Sequence, residues 1–125
     1  RNIRKYEFPA SNGMTNSNSM AVIASLCANN GEFKGTKIFS NPTILHEMME
    51  TRINYKNDEF MKYPVKFTRG FAALTAQDDK NTLCYGWGGA GGSMMRFHPE
   101  LQFGCAYVPN KSGFKMAMND PRPNK

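Results

Sequence analysis

The spacing of apolar positions changes partway along this chain, and the change divides it in two. Residues 1–18 are polar and turn-rich; "PASNGMTNSNS" carries an Asn-Gly pair and several capping residues. Met20, Ile23, Ala24 and Cys27 then recur at helical spacing, with Val22 and Leu26 broadening the face. Ser17 to Ser19 are the expected N-cap. "NNG" at 29–31 is the expected end, because Gly31 tolerates the left-handed conformation. "EFKGTKIF" reads as a turn and a short extended piece. "SNPTILHEMME" predicts a second helix, with Asn41 as its cap and Pro42 at the first helical position, where a missing N–H does no harm. Ile44, Leu45, Met48 and Met49 share one face and read as core. Residues 51–64 are polar and read as a loop.

From Val65 the period becomes two. Val65, Phe67, Arg69, Phe71 and Ala73 alternate with Lys66, Thr68, Gly70 and Ala72, a strand pattern. "AQDDKN" turns the chain. "TLCYGW", "GSMMRF" and "LQFGCAYV" are further strands, the last two joined by "HPE". In the last strand Leu101, Phe103, Cys105 and Tyr107 point one way, with Gly104 and Ala106 opposite. Missing side chains let another element approach the backbone, and a helix is expected there. Helices over about 18–50 and an antiparallel meander over about 65–108 make an α+β chain, one segment across 1–125.

Composition adds mostly exclusions. At 125 residues, 40% hydrophobic and 21% charged, the chain has ordinary globular composition and the size of one domain. Its net charge of +6 comes from scattered Lys and Arg, apart from "RNIRK" and "PRPNK". No basic stripe interleaves with aromatics, so no nucleic-acid partner is expected. No apolar run approaches the ~20 residues that span a bilayer. The start at Arg1 and the polar end "NDPRPNK" read as those of a piece of a longer protein. Cys27, Cys84 and Cys105 form no CxxC pair and read as buried free thiols. His46 and His98 lack ligand spacing with any Cys or carboxylate, so neither a metal nor another cofactor is expected. "NKS" at Asn110 is a glycosylation sequon that matters only if the parent chain is secreted.

The densest stretch is "YGWGGAGGSMMRFHPELQFGCAYVPN", residues 85–110. "GWGGAG" formally fits the dinucleotide pattern G-x-G-x-x-G. That fingerprint needs a helix directly after it and an acid about 20 residues on. "SMMRFHP" is too short for the helix, and residues 106–111 hold no acid. No Lys follows the last glycine, which excludes a phosphate-binding P-loop, and Ser93 has no G-x-S-x-G spacing. What remains is a glycine-rich strand. It is either a close packing site or a cleft edge that offers backbone N–H groups to a developing oxyanion.

That stretch resembles the last active-site motif and following hairpin of the serine β-lactamase and penicillin-binding-protein-like family, nearest its esterase and animal β-lactamase-like branch. "NGMTNSNSMAVIASLCANNGEFKGTKIFS" resembles an earlier helix and "Asn-Gly-Gly" turn of the same family. Together the two cover most of the chain. The resemblance implies the C-terminal part of a β-lactamase-like fold and a serine hydrolase that transfers acyl groups. In that chemistry a Ser of S-x-x-K attacks a carbonyl while a Lys and a Tyr move protons. Trp87, Gly88 and Gly89 match the third motif in its W-x-G form, as substrate-binding residues. Ala90 matches the residue whose backbone N–H completes the oxyanion hole. Trp87 stands where a cationic Lys is usual, which favours ester-like or uncharged substrates over carboxylates. His98-Pro99 stands for the usual Asp-Pro and bears on the turn.

Ser112 to Lys115 fits S-x-x-K literally, but it follows the third motif instead of preceding it and contains Gly113. Tyr55-Lys56-Asn57 fits Y-x-N but lies only about thirty residues before Trp87. Both read as chance matches. The implied partners are a small-molecule or peptide-like acyl substrate and the remainder of the domain, which would carry the nucleophile. The alternative is a non-catalytic structural or interaction module on the same scaffold.

Overall fold

A computed structural model describes residues 5–7, 9–10, 12–59, 62–75 and 83–111. Two helices and a small hairpin precede a sheet. Helix α1 is Ser17–Ala28, the hairpin is β1 (Glu32–Phe33) with β2 (Thr36–Lys37), and helix α2 is Thr43–Met49. The sheet strands are β3 (Thr51–Tyr55), β4 (Val65–Thr68), β5 (Ala72–Thr75), β6 (Leu83–Gly88), β7 (Met94–His98) and β8 (Phe103–Tyr107). They pair antiparallel in chain order, a six-stranded meander. The expected α+β order is the one observed.

The cap of α1 is Asn16 rather than Ser17 to Ser19; its side chain accepts a 2.9 Å hydrogen bond from Ser19 N. The serines fall inside the first turn instead. The buried face also differs from the one expected. Ala24, Leu26, Cys27 and Ala28 are buried, whereas Val22 and Ile23 are exposed. Gly104 on β8 explains this. A Cβ there would meet the backbone of Ala24 and Ser25, so α1 lies almost on the strand, and small residues must face it. At the other end Gly31 has φ 84° and its N–H donates to Leu26 O at 2.7 Å, the left-handed end expected from "NNG". Lys34 and Gly35, both at positive φ, turn the β1–β2 hairpin.

Asn41 Oδ1 accepts from Thr43 N at 3.0 Å and Thr43 Oγ1 at 2.8 Å, which starts α2 one residue after Pro42. Leu45 and Met49 are buried and Met48 packs beside them, but Ile44 is exposed. The stretch 51–64 is not all loop. Thr51–Tyr55 forms edge strand β3, with Ile53 opposite Phe67 and Tyr55 opposite Val65. All five residues are exposed, so no burial imprinted an apolar alternation on them. The single alternating run from Val65 to Ala73 is likewise two strands. Thr68 breaks it: its Oγ1 accepts from Phe71 N at 2.8 Å and its N–H donates to Phe71 O at 2.8 Å, closing a turn over Arg69-Gly70. "AQDDKN" lies at 76–81, outside the described residues.

The core joins both helices to the β6–β8 side of the sheet. Ala24, Cys27 and Ala28 of α1 and Leu45 and Met49 of α2 surround Phe97 of β7. Phe97 also meets Phe71 edge-on, with centroids 4.8 Å apart, and stacks on Tyr85 at 5.8 Å. Tyr85, Phe97 and Gly104 are register neighbours, so the ring contacts and the helix seat share one row of the sheet. That row fixes β6, the strand that carries the W-x-G match.

Candidate active-site strand

Strand β6 contains Trp87 and Gly88, and the chain leaves it through Gly89 and Ala90. Its glycines have separate tasks. A Cβ on Gly86 would strike the backbone carbonyl of Met95 on β7, so glycine alone allows this approach of the two strands. Gly91 and Gly92, at φ 101° and 105°, turn the chain into β7. The turn is closed by Gly89 N donating to Ser93 O at 2.8 Å and Gly92 N donating to Gly89 O at 3.2 Å. Gly89 therefore spends its N–H inside the loop, which removes it as an oxyanion donor.

Trp87 is 44% exposed although it is the largest apolar side chain in the molecule. Its ring lies 5.7 Å from that of Phe67, tilted by 41°. The two stand on β6 and β4, two strands apart. Phe67 pairs with Ala72, which pairs with Gly86, so the row from Phe67 ends one residue before Trp87 and crosses only small positions. In the sequence Phe67 shows only as a strand position, because its neighbour two strands away is set by long-range register. Gly88 is buried at the end of β6, and Ala90 is exposed in an isolated β-bridge just beyond it. The literal S-x-x-K at 112–115 lies outside the described residues. Tyr55 of the discounted Y-x-N is at the end of β3, on the far edge of the sheet from β8.

The two histidines come together at the other end of β6. His46, Met49, Leu83, Tyr85, His98, Pro99 and Glu100 line a surface cavity of about 320 Å³. Among the described residues no group of three or more His, Cys, Asp or Glu is placed to hold a metal. His98 is buried, and its Nδ1 accepts from Leu101 N at 3.2 Å, so the imidazole braces the turn between β7 and β8. Burial, and then the nearby Glu100 carboxylate, push the Tyr85 phenol up.

The thiols are all free. Burial pushes Cys27 up. Cys105 is also raised, chiefly by burial and further by Cys84, against the opposing Arg96 charge. Neither Cys27 nor Cys105 is set up as a nucleophile, since a reactive thiol needs its pKa lowered. Among the described residues no helix is long and apolar enough to cross a membrane.

No protein-family model matches the chain, and comparison with curated proteins finds no match. Comparison with solved structures does. The chain superposes on the crystal structure of a family VIII carboxylesterase with a TM-score of 0.76 and 25% identity. The match covers 87% of this chain and 29% of the carboxylesterase. The family VIII carboxylesterase is a β-lactamase-like serine hydrolase. The chain thus has the α+β fold of the C-terminal part of a β-lactamase-like protein, and the family resemblance holds at the level of the fold.

Proposed function

We propose that this chain is the C-terminal portion of a β-lactamase-like serine hydrolase that transfers acyl groups from ester or amide substrates. It contributes a cleft-lining strand, Trp87, Gly88 and Gly89, and the Ala90 backbone N–H as an oxyanion donor. The observation that carries this reading is the W-x-G match at the C-terminal end of β6, with Trp87 exposed, on a fold shared with a carboxylesterase. The nucleophilic Ser and its Lys belong to the remainder of the domain. Attack of the Ser oxygen on the acyl carbon puts negative charge on the carbonyl oxygen. A preorganised N–H with no bulky side chain in the way stabilises that charge. An indole at position 87 offers no charge to a carboxylate, so uncharged esters are the favoured substrates.

The test uses the protein with its upstream sequence. Ala90→Pro deletes the N–H and should lower kcat by roughly 10²- to 10³-fold while KM stays within a few-fold. An unchanged kcat in a folded variant overturns the oxyanion role. An upstream sequence without Ser-x-x-Lys, together with no labelling by a fluorophosphonate, favours the non-catalytic module instead.

A further inference from the structure

The geometry points to Phe67 as the residue that positions Trp87, and to a planar aromatic group as what the pair binds; the inference rests on the hydrolase reading of the same strand. Trp87 stands near the end of β6, three residues before Ala90, with almost half its surface open. Among the described residues, Phe67 is its only ring partner. The rings are neither parallel nor perpendicular. At 5.7 Å and 41° they form a tilted pair with the indole 44% exposed, and Ala72 is fully buried in the row that runs from Phe67 to Gly86. Such a tilted, half-exposed pair offers a third ring one face and one edge, the offset and edge-to-face contacts that aromatic groups prefer. An alkyl group would gain burial there but not the quadrupole match. Phe67 does not touch the reacting atoms; it limits where the indole can sit. The substrate class assigned is therefore an uncharged ester with an aryl group beside its carbonyl.

Trp87 is the one tryptophan in the chain, so its fluorescence reports this site alone. The probes are 2-acetonaphthone, an uncharged aryl ketone that is not hydrolysed, and cyclohexyl methyl ketone as the alkyl comparison. Both are titrated into the 125-residue chain by tryptophan emission and by saturation-transfer NMR. The aryl ketone should bind roughly fivefold tighter. Phe67→Leu keeps the apolar volume but removes the ring, and should bring the ratio near one. Phe67→Tyr should restore it, which a merely structural role for Phe67 would not require. Equal binding of the two ketones, binding of neither, or an undiminished ratio in Phe67→Leu overturns the inference. Ester turnover by the longer protein is read separately. Turnover retained with the ratio lost defeats this inference alone, and a ratio retained without turnover defeats the hydrolase reading alone.

Discussion

Gly104 of β8 lies directly against the Ser25 backbone nitrogen of α1, with no room between them for a Cβ. This contact sets how close the helix sits to the sheet and which of its residues are small. Gly104→Ala must push α1 outward or bend β8. We expect a loss of about 1–3 kcal/mol, the range for overpacking a close contact. Urea denaturation measures it. A variant as stable as the parent would mean that α1 does not seat on β8 as described.

Gly86 makes the same argument between strands. Gly86→Ala drives a methyl into the Met95 carbonyl, where neither backbone can retreat without breaking the ladder. A loss of about 2–4 kcal/mol is expected. Gly13→Ala is the control, because nothing lies within 4 Å of the added atom. It should change stability by less than ~0.5 kcal/mol.

Asn16 should matter to α1 and Ser17 should not. Asn16→Ala removes the acceptor for Ser19 N and should cost about 1 kcal/mol. Ser17→Ala should be near neutral. A reversed order in thermal or urea melts would return the cap to the serines.

The cysteines should remain thiols, and the fold should weaken in alkali. Cys84 on β6 and Cys105 on β8 are separated by β7. Two strand spacings are about 10 Å, beyond the ~7 Å Cα limit of a disulfide. A thiol reagent should therefore count three free groups in denaturant. The folded Cys27 and Cys105 hold their protons more tightly than the unfolded chain does. Their contribution to stability is thus complete below the unfolded thiol pKa of about 8.5 and is lost as pH rises through the higher folded values. Unfolding at pH 7 and pH 9.5 should show the decline, and Cys27→Ala should reduce its slope. A flat profile would mean that Cys27 is not desolvated.

The parts of this fold that show in the sequence are those where one face is buried. Leu45 and Met49 of α2, and Gly104 opposite Phe103 and Cys105, left their spacing in the chain. Edge strand β3 did not, because Thr51–Tyr55 is exposed along its length. The turn at Arg69-Gly70 was hidden because Thr68, not a glycine or proline pair, supplies its hydrogen bonds. The buried face of α1 departs from the expected one because tight packing on Gly104 favours alanines over Ile23, the reverse of a ranking by hydrophobicity. The Phe67–Trp87 contact depends on a register across three strands, which local spacing does not specify. The glycine run itself was legible as backbone geometry. Its division into a close strand approach at Gly86 and a turn at Gly91 and Gly92 required the structure.

The central claim is that this chain supplies one wall of an acyl-transfer site without its nucleophile. Incubating purified residues 1–125 with a chromogenic ester tests it most directly. The expected result is no turnover above the buffer rate. Turnover that is abolished by Ser112→Ala would contradict it, since the attacking group would then lie within this chain.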